Sequence, residues 1–531
     1  MEDLNMVEEA KIRASRFGEV VGLVSRVSPI SHGIENNQIR AEISYDVYLK
    51  RKFVIGTYVG ISLLVPRTLM LGRIVALERS DILSITKVPA LSPSVDPTGI
   101  TTPLSLTIEL LSEKVGDEVV PPSSPVDPQS PLFFPNKEFV KEMLGLNVRG
   151  LSIGKLIEGY KEMDVDVPLT EEMLRHHVLV VGTTGAGKTN LLKLIISRSE
   201  VPALAFDLQG DYIRLIAELG GNVLVPVTVD YASGVTDFIN QFLRRTNLQR
   251  FKIERIDGQK VKLSDGSDSF NMILVGFRLR DNYKELTSVS PFFTSQGAYF
   301  FRIVTENCMA AVDEWIQQCE DVMRDMSVHS TTMDNIKRSV RMLEDTGILD
   351  VTIREGTRRF TLGEPNYEEL LTGKSVMDLR WALERGVSSA TVSAFLTIAK
   401  VFNIIDQRYK NNGRETPFLL IFDEAHEYFP QARKEEDKEG LERLINKILR
   451  LGRVRGMGTI LATHRPTDLN DLILTLTNTK VAMRADEDAL EKIGMDDYAN
   501  LLQASPPGYA VMRSFSLRVK ELIFRTEKLQ S

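Results

Sequence analysis

The chain has 531 residues, 43% of them hydrophobic and 26% charged, with a formal net charge of −7 at pH 7. Its length exceeds a single hydrophobic core and predicts roughly two to four domains. The acidic balance excludes a surface that is basic all over, so a nucleic-acid partner would need a local positive groove or pore. Apolar runs stay well short of the roughly 18 residues of a membrane span, and the charged N-terminus is unlike a secretory leader. We therefore expect a cytoplasmic protein with no membrane partner.

Short β-branched stretches separated by glycine and proline follow one another between residues 18 and 86. Regular short strands of this kind predict a small closed β-barrel, which we assign to residues 1–100. Interleaved aromatic and basic residues, typical of a base-stacking face, are missing from it. Assembly or partner docking is therefore favoured over nucleic-acid binding.

Ten of the 22 prolines lie between Pro89 and Pro135. Proline at this density favours an extended, semi-rigid connection, so we predict a linker over residues 101–149 and a second domain that starts near Gly150.

A phosphate-binding loop follows the apolar strand predicted at residues 178–181. Residues 182–189 read GTTGAGKT, which fits G-x-x-x-x-G-K-[ST] between a strand and a helix. In such loops the glycines turn backbone N–H groups toward phosphate oxygens, Lys188 reaches the β- and γ-phosphates, and the Thr189 hydroxyl binds Mg²⁺. The pattern therefore predicts an ATP–Mg²⁺ site, with nucleotide contacts from Gly182, Thr183, Thr184, Gly185, Ala186, Gly187, Lys188, Thr189 and Asn190.

A second buried strand at residues 203–207 ends in the sequence DLQGDY. Acidic residues at the carboxyl end of such a strand face the ligand crevice of a doubly wound sheet. Asp207 and Asp211 could position water or metal, or could cap the next turn. Both interpretations stay open.

Residues 230–373 show apolar residues at three- and four-residue spacing and predict a mainly helical insertion. Its cysteines, Cys308 and Cys319, are the two in the chain. On one continuous helix their Cα atoms would lie about 16 Å apart, beyond the reach of a disulfide. We therefore expect inert thiols in a reducing compartment.

Residues 418–430 read FLLIFDEAHEYFP, an apolar strand that ends in two acids. In P-loop ATPases the Asp at this position, here Asp423, holds Mg²⁺, and an adjacent Glu, here Glu424, can polarise the attacking water. The letters DEAH suggest a DEAH-box helicase, but the Arg-rich final motif of those enzymes is not visible downstream.

Two arginines precede the next predicted strand, residues 459–463. Arginine at such a place suits a finger that reaches the γ-phosphate of an adjacent subunit. Arg453 is the first choice and Arg455 the second. Beyond that strand, His464 is a candidate γ-phosphate sensor, although a lone histidine is more often structural.

The elements together predict an α/β fold: a RecA-like P-loop ATPase core at residues 150–229 and 374–490, with the helical insertion at 230–373. A small N-terminal β-barrel precedes it, and residues 491–531 form a C-terminal extension.

The chain combines the barrel, GTTGAGKTN, FDLQGDY, the helical insertion, FLLIFDEAHEYFP, LGRVRGMGTILATHRP and PPGYAVMR. Together these features resemble the HerA family of the HerA–FtsK superfamily. The resemblance covers essentially the whole chain. It implies a homo-hexameric ring ATPase that moves double-stranded DNA, works with a NurA-type nuclease in end resection, and acts beside the double-strand-break repair nuclease–ATPase complex.

The resemblance also implies roles for particular residues. It assigns Lys188 and Thr189 to phosphate and Mg²⁺, Asp423 to the Walker B acid, Glu424 to the catalytic base and Arg453 to the finger. The family often has Gln where this chain has His464. Further nucleotide contacts are implied at Arg175, Lys492 and Ile493. We expect the channel to be lined by loop residues such as Arg433 and Lys434.

Two other functions are considered. A nucleotide-locked ring could recruit and activate a nuclease without translocating, but a binding-only module has no use for Glu424 as a base. A protein- or proton-coupled ATPase is disfavoured by the Glu directly after Asp423.

Overall fold

The computed structural model describes residues 2–27, 30–33, 36–79, 102–231, 234–289, 292–431 and 441–529. The strands are β1 (Gly18–Val24), β2 (Gln38–Ile43), β3 (Tyr58–Ser62), β4 (Leu69–Glu78), β5 (Leu104–Val115), β6 (Glu118–Val120), β7 (Pro131–Pro135), β8 (Leu151–Glu158), β9 (Lys161–Leu169), β10 (Val178–Val181), β11 (Ala203–Asp207), β12 (Asn222–Pro226), β13 (Lys252–Asp257), β14 (Lys260–Ser264), β15 (Ser269–Val275), β16 (Thr352–Glu355), β17 (Arg358–Thr361), β18 (Lys374–Asp378), β19 (Phe418–Phe422), β20 (Met457–Thr463), β21 (Thr479–Ala482), β22 (Tyr509–Ser514) and β23 (Leu522–Thr526).

The helices are α1 (Glu2–Ser15), α2 (Tyr45–Lys50), α3 (Lys137–Met143), α4 (Glu171–Arg175), α5 (Lys188–Arg198), α6 (Ile213–Glu218), α7 (Val235–Arg245), α8 (Leu279–Val289), α9 (Ser295–Cys308), α10 (Trp315–Asp325), α11 (Ser330–Asp345), α12 (Tyr367–Leu370), α13 (Arg380–Arg385), α14 (Val387–Asn412), α15 (Ala425–Tyr428), α16 (Gly452–Val454), α17 (Asp471–Leu476), α18 (Glu487–Lys492) and α19 (Ala499–Ala504). A π-helical segment, Asn446–Leu451, leads into α16.

The chain divides into two compact units, Met1–Thr170 with Tyr509–Glu527, and Glu171–Gly508 with Lys528–Ser531. In the first unit the strand order β2-β1-β7-β3-β4-β5 is closed by antiparallel pairing of β5 with β2. Along β5, Leu104, Leu106, Ile108 and Leu110 are buried and alternate with partly exposed residues, because successive side chains of a strand face opposite sides. The predicted barrel is confirmed.

The prediction of a linker over residues 101–149 is wrong. Strand β5 pairs with β2 and β4, and β7 pairs with β1 and β3, so the proline-rich stretch supplies two barrel strands. Pro131 and Pro135 stand at the two ends of β7, where a missing N–H donor is tolerated. Proline therefore marks turns and strand ends here.

The predicted start of the ATPase core near Gly150 is also corrected. Strands β8 and β9 form an antiparallel hairpin, and β23 pairs with β8 and with β22. All four strands belong to the first unit, and the second unit begins at Glu171. The expected C-terminal extension is divided, since 491–508 belong to the second unit and 509–527 to the first.

The second unit is built on a sheet with the order β13-β14-β15-β12-β18-β11-β19-β20-β10-β21. The strands from β15 to β21 in this order are parallel. Every residue of β10, β11, β19 and β20 is buried, which explains their continuous apolar runs. Strand β20 lies between the P-loop strand β10 and β19, so the carboxyl ends of these strands meet at one edge.

The insertion at residues 230–373 is less uniformly helical than predicted. Besides α7 to α11 it contains the antiparallel pairs β13–β14 and β14–β15. Strand β15 pairs in parallel with β12 and so extends the sheet.

The prediction that Cys308 and Cys319 lie too far apart for a disulfide is wrong. Helix α9 ends at Cys308, and Met309 has φ +51°, in the left-handed region. The chain turns before α10 begins at Trp315, which brings the two Cα atoms to 5.6 Å in a disulfide. The argument for a reducing compartment therefore loses this support.

Helix α14 is the one helix in the described ranges that is long and apolar enough to cross a membrane. In its most apolar window 72% of the residues are buried within the protein. It packs against α8 and α13, as a core helix does.

Candidate active site

The P-loop connects β10 to α5. Gly185 and Gly187 have φ values of +78° and +113°, which glycine adopts without steric cost. Lys188 Nζ donates hydrogen bonds of 2.8 Å to the Gly182 carbonyl and 3.3 Å to the Thr183 carbonyl. Lys188 is 5% exposed, and these hydrogen bonds hold its ammonium group against the backbone of the loop.

Asp423 lies beside the P-loop helix. Its Oδ2 accepts hydrogen bonds from the Thr189 hydroxyl at 3.0 Å and from the Tyr212 hydroxyl at 2.7 Å, while its Oδ1 accepts from Glu424 N at 3.0 Å. Burial raises the pKa of Asp423, against the lowering effect of these two hydroxyl donors. The structure thus brings together Thr189 and Asp423, the residues predicted to hold Mg²⁺.

Glu424 has φ +52°, an uncommon conformation for a residue with a side chain. Its Oε2 lies 2.7 Å from His464 Nδ1. Because a carboxylate only accepts, His464 Nδ1 carries the proton in this contact. The predicted base and the predicted sensor are therefore direct partners.

His426 is a neighbour that the sequence analysis left without a role. It is 8% exposed, and its Nδ1 lies 3.0 Å from Thr463 Oγ1 and 3.6 Å from Glu424 Oε2. Burial lowers the pKa of His426. The sequence signal for His426 was its position two residues after Glu424, as the last letter of DEAH.

The turn after β11 resolves the open question about Asp207. Its carboxylate accepts hydrogen bonds from the backbone N–H groups of Gln209, Gly210 and Tyr212 at 3.0, 2.7 and 2.9 Å. Burial, reinforced by Asp378, raises the pKa of Asp207 to about 6. Asp207 is therefore a turn cap, and Asp211 is exposed.

The structure also separates the two candidate fingers. Arg455 Nε donates to Asp406 Oδ1 at 2.5 Å, and its guanidinium lies 5.5 Å from the ring centres of Phe402 and Tyr409. The Arg453 side chain is exposed and makes no hydrogen bond or ion pair with the described residues. Arg453 precedes the seven residues of β20, so it lies about 20 Å from the carboxyl end of that strand.

The other three implied nucleotide contacts have partners or packing of their own in the structure. Arg175 ends α4, before β10, and pairs with Glu415 at 2.6 Å. Lys492 pairs with Asp471 at 2.7 Å, and Ile493 is 3% exposed in the core. Asn190, by contrast, follows the P-loop directly, and its Oδ1 accepts from Leu529 N at 3.0 Å.

Tyr212 is the main residue that the sequence analysis missed. It is 1% exposed, and burial raises its pKa well above the ordinary value, so the hydroxyl remains a donor to Asp423. Its only signal was its position at the end of FDLQGDY.

This sheet order and this site define a RecA-like P-loop ATPase. The family model described as "Helicase HerA, central domain" matches residues 151–355. The "DNA double-strand break repair helicase HerA" of Pyrococcus furiosus is 23% identical over 74% of this chain and 73% of its own length. That of Sulfurisphaera tokodaii is 22% identical over 68% of this chain and 65% of its own length. The chain is thus similar to HerA helicases over most of its length, and the resemblance seen in the motifs is confirmed.

Among solved structures, VirB4 of Thermoanaerobacter pseudethanolicus matches with a TM-score of 0.46 and 12% identity, covering 72% of this chain and 97% of that one. The bacterial conjugative coupling protein TrwB matches with a TM-score of 0.44 and 13% identity, covering 73% and 91%.

Proposed function

We propose that the chain is an ATP hydrolase that moves along double-stranded DNA as a ring of its own copies. The observation that carries the hydrolytic part is the pair of adjacent acids after β19. Asp423 faces Thr189 at the P-loop, whereas Glu424 is held by His464. A module that only binds nucleotide needs the first acid and not the second.

Mg²⁺ fits the oxygens beside the P-loop. Thr189 Oγ1 and Asp423 Oδ2 lie 3.0 Å apart, and hydroxyl and carboxylate oxygens suit this hard cation. When bound, the ion neutralises charge on the phosphates. Thr189 and Asp423 would hold it, and Lys188 would bind phosphate oxygens.

Glu424 would act as the general base. Its carboxylate can accept a proton from the attacking water, and the hydrogen bond from His464 fixes its direction. His464 would therefore act through Glu424, as a positioning residue, when it responds to the γ-phosphate.

Arg453 supports a ring. It lies at the amino end of β20, about 20 Å along the strand from the sheet edge at which the acids of its own chain lie, so it is placed to complete the site of a neighbouring copy. A contact between two different surfaces of identical chains is head-to-tail, and such contacts close into rings when the rotation permits. We propose a homo-hexamer.

The biological assignment rests on the relatives, which are described as DNA double-strand break repair helicases. We propose that this chain works in the cytoplasm with a NurA-type nuclease in end resection, beside the double-strand-break repair nuclease–ATPase complex. Arg433 and Lys434, the predicted channel residues, lie outside the described residues and stay a prediction.

The test measures ATP hydrolysis with and without linear duplex DNA for wild type, Lys188→Ala, Glu424→Gln and Arg453→Ala. Arg450→Ala, a change of another exposed arginine on the same segment, is the matched control. We expect duplex-stimulated turnover that falls at least 100-fold in the three site variants and stays near wild type in Arg450→Ala.

Mixing Arg453→Ala with Glu424→Gln protein should restore part of the turnover, because some interfaces then combine an intact finger with an intact base. ATP turnover that does not change when DNA is added would contradict the proposal that the chain moves along DNA. Nuclease activation that survives in Glu424→Gln would favour the nucleotide-locked scaffold ring instead.

A further inference from the structure

Three potential metal ligands converge beside the nucleotide site: Glu424, His426 and His464. One ligand atom from each lies within 4.8 Å of the other two. Glu424 Oε2 is 2.7 Å from His464 Nδ1 and 3.6 Å from His426 Nδ1. The first two residues follow β19 and the third follows β20, so two adjacent parallel strands fix the cluster.

The chemistry of this set differs from that of the Thr189–Asp423 pair. Two imidazoles and one carboxylate are a ligand set used for catalytic zinc, whereas Mg²⁺ takes oxygen ligands. Tetrahedral ligands at about 2.1 Å from an ion lie about 3.4 Å from one another. The distances of 2.7 and 3.6 Å bracket this value, and the ligand atoms of the two histidines lie within 4.8 Å of each other, so side-chain shifts of about 1 Å would bring all three atoms to this spacing.

The surroundings also suit a bound ion. The three side chains line a cavity of about 360 Å³ together with Thr184 and Gln209, which leaves room for water as a fourth ligand. Glu427 Oε1 lies 3.4 Å from His426 Nε2, and a carboxylate on the second ring nitrogen is the usual support of a metal-binding histidine. On metal binding, His426 Nδ1 would exchange its contact with the Thr463 hydroxyl at 3.0 Å for the metal, and His464 would carry its proton on Nε2 so that Nδ1 is free to bind.

We propose that Glu424, His426 and His464 bind Zn²⁺ or a similar transition-metal ion, and that occupancy stops hydrolysis by withdrawing the Glu424 carboxylate from water. The binding site stands on the cluster alone. The inhibitory effect rests on the proposed function, because it requires Glu424 to be the base.

The first experiment titrates Zn²⁺ alone into the chelator-stripped 531-residue chain by calorimetry. We expect one tight site per chain, with the dissociation constant raised 10- to 100-fold in His426→Gln and in His464→Gln. His329→Gln, at an exposed histidine away from the cluster, should bind as wild type does. Co²⁺ should give the visible absorption of a tetrahedral site in wild type and lose it in His426→Gln.

The second experiment adds Zn²⁺ to the ATPase assay at saturating Mg²⁺. Inhibition that a chelator reverses, and that needs roughly 10-fold more Zn²⁺ in His426→Gln, supports the inhibitory role. Zn²⁺ binding unaffected by both cluster variants, or no stoichiometric binding, overturns the site. Tight binding without inhibition overturns only the inhibitory role, and tight binding to a chain without ATPase activity contradicts the proposed function while the site stands.

Discussion

The Tyr212 hydroxyl donates a 2.7 Å hydrogen bond to Asp423 Oδ2, the same oxygen that accepts from Thr189. Tyr212 is held in turn by its own backbone N–H, which donates to Asp207 Oδ2 at 2.9 Å. The capped turn after β11 therefore sets the direction of the carboxylate at the predicted Mg²⁺ site.

Replacement of Tyr212 by Phe should weaken Mg²⁺ binding. It removes a hydrogen bond to a carboxylate, a contact worth about 1.5–3 kcal/mol, and leaves Asp423 free to turn. We expect the Mg²⁺ concentration for half-maximal ATP turnover to rise several-fold, with a smaller change in turnover at saturating Mg²⁺. A Mg²⁺ titration at fixed ATP measures both.

Tyr428 provides the matched control. It is also 1% exposed, but its hydroxyl has no hydrogen-bond partner among the described residues. Tyr428→Phe should therefore leave the Mg²⁺ requirement unchanged and be neutral or slightly stabilising. Equal Mg²⁺ curves for both variants would show that Tyr212 does not position Asp423.

The two arginines before β20 should separate activity from stability. Arg455→Ala removes a largely buried pair with Asp406 and two aromatic contacts, and should cost on the order of 2 kcal/mol of unfolding free energy. Arg453→Ala removes an exposed side chain and should change stability by less than about 0.5 kcal/mol. Thermal unfolding measured beside turnover tests this. A melting temperature lowered equally in both variants would contradict the assignment.

His177 should make the second unit acid-sensitive. Its Nε2 lies 2.6 Å from the Leu449 carbonyl and its Nδ1 accepts from Thr459 N at 3.0 Å. Burial lowers the pKa of His177 from 6.5 to about 4. Between these two pH values His177 is therefore protonated in the unfolded chain and neutral in the folded chain. The neutral imidazole therefore contributes on the order of 3 kcal/mol to the free energy of unfolding. This contribution is complete above pH 6.5 and is lost as pH falls toward 4.

Unfolding measured between pH 7.5 and 4.5 tests this expectation. His177→Gln should lower stability at neutral pH and flatten its decline with acid, whereas His329→Gln should keep the wild-type slope. If His177→Gln keeps the same slope as wild type, other groups cause the acid sensitivity.

Reduction of the Cys308–Cys319 disulfide should destabilise the insertion. Closing a loop over a sequence separation of 11 residues corresponds to about 3 kcal/mol in the chain-entropy account. We expect a reductant to lower the melting temperature of wild type and not that of Cys308→Ser. Two free thiols in denatured, unreduced protein would show that the bond does not form.

Much of the site could be predicted because its signals are local. The P-loop and the Asp423–Glu424 pair each occupy a few consecutive residues, and the buried parallel strands before them show as continuous apolar runs. The barrel was also predictable from its short strands. Its full extent was not, because prolines at strand ends and in turns look like a linker when strand partners are unknown.

The sequence by itself determined the P-loop and its place between a strand and a helix, since motif spacing fixes backbone geometry over a single strand–loop–helix turn. Only the tertiary structure decided which residues from distant segments of the chain meet at the site. Tyr212 reaches Asp423 over a separation of 211 residues, and His464 reaches Glu424 over 40. Cys308 meets Cys319 because one left-handed residue ends a helix. Such pairings depend on strand order and on where helices stop, and packing of distant segments sets both.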